Sequence, residues 1–193
     1  MPKPKFQFNY NDGGKPEAEI DKGHWDCVCR AISIATSTPY MEVHEGLTNF
    51  CDRMQHLYEK TLSKITLEEA SDMFDMELQQ KDFDLLKDIF KGDYSVEKGL
   101  SGFIVLCYME YIGWERVVPK DTMKCYHPDL SKGSYVVSYE IDEIKIGNIV
   151  TKLSNVGHCL AMVDGVLNDN NEILARQCFI KPVLHYWKKK ENK

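Results

Sequence analysis

Two side-chain types in this chain can together make a nucleophile and its base: thiols and imidazoles. There are seven cysteines, Cys27, Cys29, Cys51, Cys107, Cys125, Cys159 and Cys178, and six histidines, His24, His44, His56, His127, His158 and His185. Cys27 has the most reactive setting. In "GHWDCVCRA", Asp26 is a helix-capping residue type, and Val28, Ala31, Ile32 and Ala35 then follow at helical spacing. A thiol in the first turn meets unpaired backbone N–H groups and the positive end of the helix dipole, which stabilise a thiolate. The same N–H groups can receive a developing oxyanion, so the chemistry predicted is thiolate attack on a carbonyl. Cys29, two positions on, belongs to another face of the helix. Cys51, Cys107 and Cys178 sit among apolar neighbours and read as core thiols.

A cysteine nucleophile needs a base, usually histidine, from a distant part of the chain. His158 lies in "NVGHCLAMVDGVLND", after a glycine and at the head of an apolar strand that runs into an Asp164-Gly165 turn. A rigid strand end can aim an imidazole into a cleft. Asn168 and Asp169, further along the same hairpin, are the candidates to accept its other N–H. A metal site would have to draw on His24, Cys27, Cys29 and Cys159. Only one residue separates Cys27 from Cys29 and no second pair exists, which is poor spacing for zinc. No metal or cofactor is expected. Trp25 reads either as a wall of the substrate cleft or as the hydrophobic staple before the helix.

The elements that must position these groups divide the chain. Residues 1–23 read as an extended arm with a short strand at "KFQFNY". Helices are predicted from Cys27 to about Ser37, through "PYMEVHEGLTNFCDRMQHLYEK", in one or two pieces of 67–91, and over "GFIVLCYMEYIGW" as far as Gly113. Alternating charges on 67–91 give it a solvent-facing character. Beyond Trp114, "GSYVVSYEI", "KIGNIVTKL", "GHCLAMVDGVLND" and "ARQCFIKPVLHYW" are β-branched and aromatic, with turn residues between them, and read as strands. Helices followed by strands argue an α+β fold with the functional cleft between the halves.

Composition narrows the partners. At 193 residues, 43% hydrophobic and 28% charged, the chain suits one domain with a substantial core. Thirty acidic against twenty-four basic residues give a net charge of −6, which argues against nucleic acid. The three lysines Lys188 to Lys190 read as a solvated end. No apolar run resembles a signal peptide or reaches membrane-spanning length, so the expected location is the cytoplasm, with all seven cysteines reduced and no membrane partner.

The residues "DCVCRAISIATSTPYMEVHEGL", "YIGW", "GSYVV" and "GHCLAMVDGVLND" resemble the small papain-like cysteine-peptidase-like proteins common in phages and mobile elements. That pattern has an Asp-Cys-Val-x-Arg-Ala helix, a Thr-x-x-Pro-Tyr turn and a later Gly-His hairpin ending near an aspartate. Here these are Asp26 to Ala31, a turn closing on Thr38 to Tyr40, Gly157 to Gly165, and Asp169. His158 also follows Cys27 by about 130 residues, a separation papain-type enzymes keep. The resemblance implies a single papain-like domain over 1–193, with an arm (1–23), a mainly helical lobe (24–114) and a mainly β lobe (115–193). Its nucleophile helix would pack on a C-terminal antiparallel sheet. It implies Cys27 as nucleophile, His158 as base and Asp169 as the orienting group, with valine commonly standing where Cys29 is. "IDKGHWDC" holds no Gln before the cysteine, which leaves His24, a backbone N–H, Gln7 or Asn9 as oxyanion donor. The function implied is a thiol hydrolase, a peptidase or isopeptidase acting on a peptide or protein, in the host cytoplasm if phage-encoded. The alternative is a papain-like scaffold with little or no catalysis that binds and modulates a host protein, through the acidic segment 67–91. Oligomeric state is not legible.

Overall fold

In a computed structural model of the chain, the described residues are 6–17, 26–74, 102–119, 130–146, 149–181 and 183–191, with isolated positions between 77 and 100. Their helices are α1 (Cys27–Thr36), α2 (Tyr40–Leu57), α3 (Leu67–Phe74), α4 (Gly102–Tyr111) and α5 (Glu172–Phe179), and a π-helical turn, Tyr58–Leu62, prolongs α2. The strands are β1 (Phe8–Tyr10), β2 (Trp114–Val117), β3 (Ser134–Ile146), β4 (Ile149–Val163), β5 (Val166–Asp169) and β6 (His185–Lys189). They form one six-stranded sheet in the order β1-β5-β4-β3-β6-β2.

The fold is α+β, but the sheet is neither purely antiparallel nor purely C-terminal. β1, from the N-terminal arm, pairs parallel with β5, placing Asn9 beside Asn168 and Tyr10 beside Asp169. All the other pairings are antiparallel. A hairpin cannot join β1 to β5, since nearly the whole chain lies between them, and a distant segment is free to add in either direction.

Alternation along the strands buries both faces of the sheet. Val136, Ala161 and Trp187 pack with Val28, Ala31, Ile32 and Ala35 of α1 and with Val43 and Leu47 of α2. Val137, Leu160, Met162 and Leu167 face the other way, onto Ala175 and Cys178 of α5. The apolar positions at i, i+3, i+4 and i+7 of α1 are therefore its sheet-facing stripe. Ser37, in the left-handed conformation at φ 57°, ends that helix, and its N–H bonds the Ile34 carbonyl.

One sequence expectation fails here. "ARQCFIKPVLHYW" is not one strand: its first part is the end of α5, and only from His185 does it extend. The helix wins because Asn171 caps it, its side chain accepting from the Leu174 N–H at 3.0 Å, while Ala175 and Cys178 supply a buried stripe. Lys188 and Lys189 are solvated, as expected, and also part of the sheet. Both lie in β6, and Lys188 Nζ is 3.1 Å from Glu115 on β2. Cys51 and Cys178 are buried as expected, whereas Cys107 is only half-buried. Most of 75–91 and all of 120–129, including Cys125, lie outside the described residues. Among the described residues, no helix is long and apolar enough to cross a membrane.

Candidate active site

Cys27 is the first residue of α1 and is half-buried. Its thiol is in hydrogen-bond contact with the His158 side chain and accepts from the backbone N–H of Cys159. His158 is buried on β4, two strands in from the β1 edge, and its Nε2 lies 2.9 Å from Asp169 Oδ2. A carboxylate can only accept, so Nε2 carries a hydrogen and Nδ1 is the nitrogen left for Cys27. The three residues singled out in the sequence thus meet in one line, thiol to imidazole to carboxylate.

Of the hairpin's polar residues, Asp169 is the one in contact with the imidazole. Asp169 ends β5 with its second oxygen held as well: Oδ1 accepts from the Asn170 N–H at 2.8 Å and from Arg30 Nη2 at 3.4 Å. Asn168 instead bonds the Val166 carbonyl and accepts from Asn9 Nδ2, both at 2.8 Å. Asp164 has left-handed φ (49°) and accepts from the Gly133 N–H at 2.8 Å, which is turn-forming work. Neither is on the imidazole.

Asp26 does not do what its position suggests. It precedes α1, but its side chain makes no cap hydrogen bond. Buried, it forms ion pairs with Arg30, one helical turn on, and with Lys15 Nζ at 2.9 Å, and it accepts from the Tyr40 hydroxyl at 2.6 Å. Two cations and a phenol outcompete a single backbone N–H, because charge-assisted bonds are the stronger ones. The first-turn N–H groups are therefore not capped by Asp26 and can serve an oxyanion. Of the other donors considered, the Asn9 amide is already committed to Asn168. The Gln7 carbonyl accepts the Leu167 N–H, fixing the arm's main chain along β5. His24 and Trp25 lie outside the described residues.

Lys15, Arg30 and Tyr40 are what the sequence reading missed. The Asp26–Arg30 separation of four is the spacing of a helical ion pair and could have flagged the second of them. Nothing local marks Lys15, which reaches Asp26 from the far side of an undescribed stretch of chain.

Two cations, Lys15 and Arg30, stand among two carboxylates, Asp26 and Asp169, around the Cys27–His158 couple. Burial pushes the Cys27 thiol up, but the His158 charge, its hydrogen bond, the Cys159 N–H and Arg30 together bring it below the ordinary thiol value. Burial pushes His158 down, yet the Cys27 charge and the hydrogen bond and charge of Asp169 raise it to about 9. Both shifts favour a thiolate–imidazolium pair. Burial dominates at other thiols: Cys29, whose sulfur lies 3.7 Å from the Tyr40 carbonyl oxygen, and Cys178 are each pushed up to about 12, and Cys107 and Cys159 also move up. His185 is driven down to about 4 by burial and the Arg116 charge. No protein-family model, curated protein or solved structure matches the chain.

A recess of about 760 Å³ opens elsewhere, at the C-terminal end of α1, among Thr36, Thr38, Glu42, Tyr108, Trp114 and Lys189. It is separate from the thiol. Among the described residues, no group of three or more His, Cys, Asp or Glu side chains is placed to hold a metal.

Proposed function

We propose that this chain is a papain-like thiol hydrolase that cleaves peptide or isopeptide bonds in a protein substrate through an acyl-enzyme. The observation that carries the reading is the alignment of Cys27, His158 and Asp169, with the thiol at a helix start and the Nε2–Oδ2 distance at 2.9 Å. The Cys27 thiolate attacks the scissile carbonyl carbon, and the carbonyl oxygen gains the negative charge beside the first-turn N–H groups of α1. The carbon–nitrogen bond then breaks, and the imidazolium of His158 gives its proton to the departing amine. Neutral His158 next takes a proton from water as that water attacks the thioester. The acid product leaves, and the thiolate and imidazolium are restored. Asp169 holds the ring throughout and stabilises its charged form.

The pH dependence follows from the two shifts. Lowering the pH through the depressed thiol value protonates the nucleophile; raising it past about 9 strips the proton His158 must donate. Activity is therefore bell-shaped. Free thiols at six described cysteines suit a reducing cytoplasm as the working compartment. The test is iodoacetamide labelling of Cys27 at mildly acidic pH. Stoichiometric labelling that is lost in His158→Ala is the expected result. Labelling no faster than an unperturbed thiol would leave the non-catalytic binding scaffold as the better reading.

A further inference from the structure

Arg30 touches both carboxylates of the cluster. One guanidinium nitrogen, Nη1, pairs with Asp26, and the other, Nη2, lies 3.4 Å from Asp169 Oδ1. Asp26 immediately precedes the nucleophile, and Asp169 orients the base. The two sit on separate elements, α1 and β5, 143 positions apart in the chain. The guanidinium is buried, and among the described residues its Nε has no hydrogen-bond partner. What holds the guanidinium is its pair of contacts to the two carboxylates, of the charge-assisted kind that is strongest.

We propose that Arg30 is a positioning residue: it clamps the aspartate beside the nucleophile to the aspartate behind the base, fixing Cys27 and His158 against each other. The inference rests on the thiol-hydrolase reading and deepens it. The planar fork of arginine suits this role, because two nitrogens at a fixed angle meet two carboxylates at once. A lysine could neutralise one of them but could not span both. The arm contributes a second brace. Lys15 shares Asp26, Ser33 Oγ bonds the Gly13 carbonyl at 2.8 Å, and the Asn11 N–H bonds the Asp169 carbonyl at 2.9 Å.

His158, Cys159 and Arg30 act on Cys27 directly, and the groups that face them or Asp26 come from every neighbouring element. Asp26 and Arg30 lie on or beside α1, with Cys29 close by; Lys15 comes from the arm and Tyr40 from α2. His158 and Cys159 lie on β4, Asp169 on β5 and Cys178 on α5. Removing the Arg30 charge takes away a cation that favours the thiolate, and it removes a cation that competes with the imidazolium for Asp169. Both changes raise a pKa, so the interval in which the ion pair exists slides upward as a whole.

The experiment is the pH profile of Cys27 alkylation by iodoacetamide in wild type, Arg30→Gln and Arg30→Lys, with the ring-nitrogen titration of His158 followed by NMR. In Arg30→Gln the apparent thiol pKa should rise by about one unit, which slows alkylation about tenfold at pH values well below it. Arg30→Lys should recover only part of that shift, since it restores charge but not the fork. If Arg30→Gln does not fold, Arg30→Lys alone carries the test, and a wild-type profile from it overturns the clamp. An unshifted Arg30→Gln profile overturns it too. A wild-type Cys27 that titrates as an ordinary thiol refutes the hydrolase reading instead. The clamp is then decided by His158, whose titration moves up in the Arg30 variants if Arg30 shares Asp169 and stays in place if it does not.

Discussion

Replacing Asp26 by asparagine separates two roles the position could have. Asparagine caps helices as well as aspartate does, so a capping Asp26 would tolerate the change at a cost of a few tenths of a kcal/mol. The ion-pair cluster predicts otherwise. The Asp26 side chain is 1% exposed, and those of Lys15 and Arg30 are 5% and 9% exposed, so none can recruit water when the carboxylate charge is lost. Removing one member of a buried pair costs about 3–5 kcal/mol, because an uncompensated charge is left inside. A loss of about 3 kcal/mol is a large part of the 5–15 kcal/mol that typically holds a domain, and lowers the melting temperature by roughly 6–12 °C at this size. Urea unfolding followed by circular dichroism, at neutral pH and with unchanged slope, measures it directly. Lys15→Met added to Asp26→Asn should regain part of the loss by removing one orphaned cation. The sign with pH is also fixed. Burial pushes the Asp26 carboxyl up, but Arg30, Tyr40 and Lys15 hold it below its ordinary value of 3.8. Its contribution is then complete above that value and fades as the pH falls toward the folded one. An Asp26→Asn protein within about 1 kcal/mol of wild type would refute the argument.

Cys27→Ala should abolish thiol labelling and any hydrolysis, while Cys29→Val should leave both largely intact, since burial pushes the Cys29 thiol up to about 12; the reverse outcome would show that the site register is wrong. Asp169→Ala should slow Cys27 alkylation and raise its apparent pKa, whereas Asp164→Asn should not, because Asp164 serves the Gly133 turn and asparagine tolerates its left-handed φ. Both variants are to be compared with wild type at matched distance below their melting temperatures. Reactivity depressed by Asp164→Asn alone would show that the orienting role does not belong to Asp169.

What could be read from the chain beforehand was mostly local. The i, i+3, i+4, i+7 spacing of Val28, Ala31, Ile32 and Ala35 marks the buried stripe of α1, and alternation marks β3 to β5, because both patterns follow directly from backbone geometry. Cys27 was legible for the same reason, as the first residue of a periodic segment. The parallel pairing of β1 with β5 was not legible, since no local pattern says which way a distant strand joins a sheet. The role of Asp26 was misread because a capping residue type and a buried ion-pair member look identical in sequence. Only the burial of Lys15 and the reach of Arg30 tell them apart. The end of α5 escaped because Cys178, Phe179 and Ile180 run on toward the apolar and aromatic residues of β6, while its Asn171 cap lies in a polar run that reads as a turn.

The parallel addition of β1 to β5 has a consequence for when the protein can work. Asn9 bonds Asn168 across a separation of 159 positions, and the Asn11 N–H bonds the carbonyl of Asp169 itself. Contacts this distant along the chain close late, because each must first overcome the entropy of a very long loop. A ribosome that has just made Cys27 through Tyr40 holds a helix without its base, its orienting carboxylate or the sheet edge that receives the arm. Until β4 and β5 have emerged, a nascent chain lacks the imidazole and backbone N–H that bring the Cys27 thiol down, so on the thiol-hydrolase reading proposed above the nucleophile would arise only with the closing of the fold.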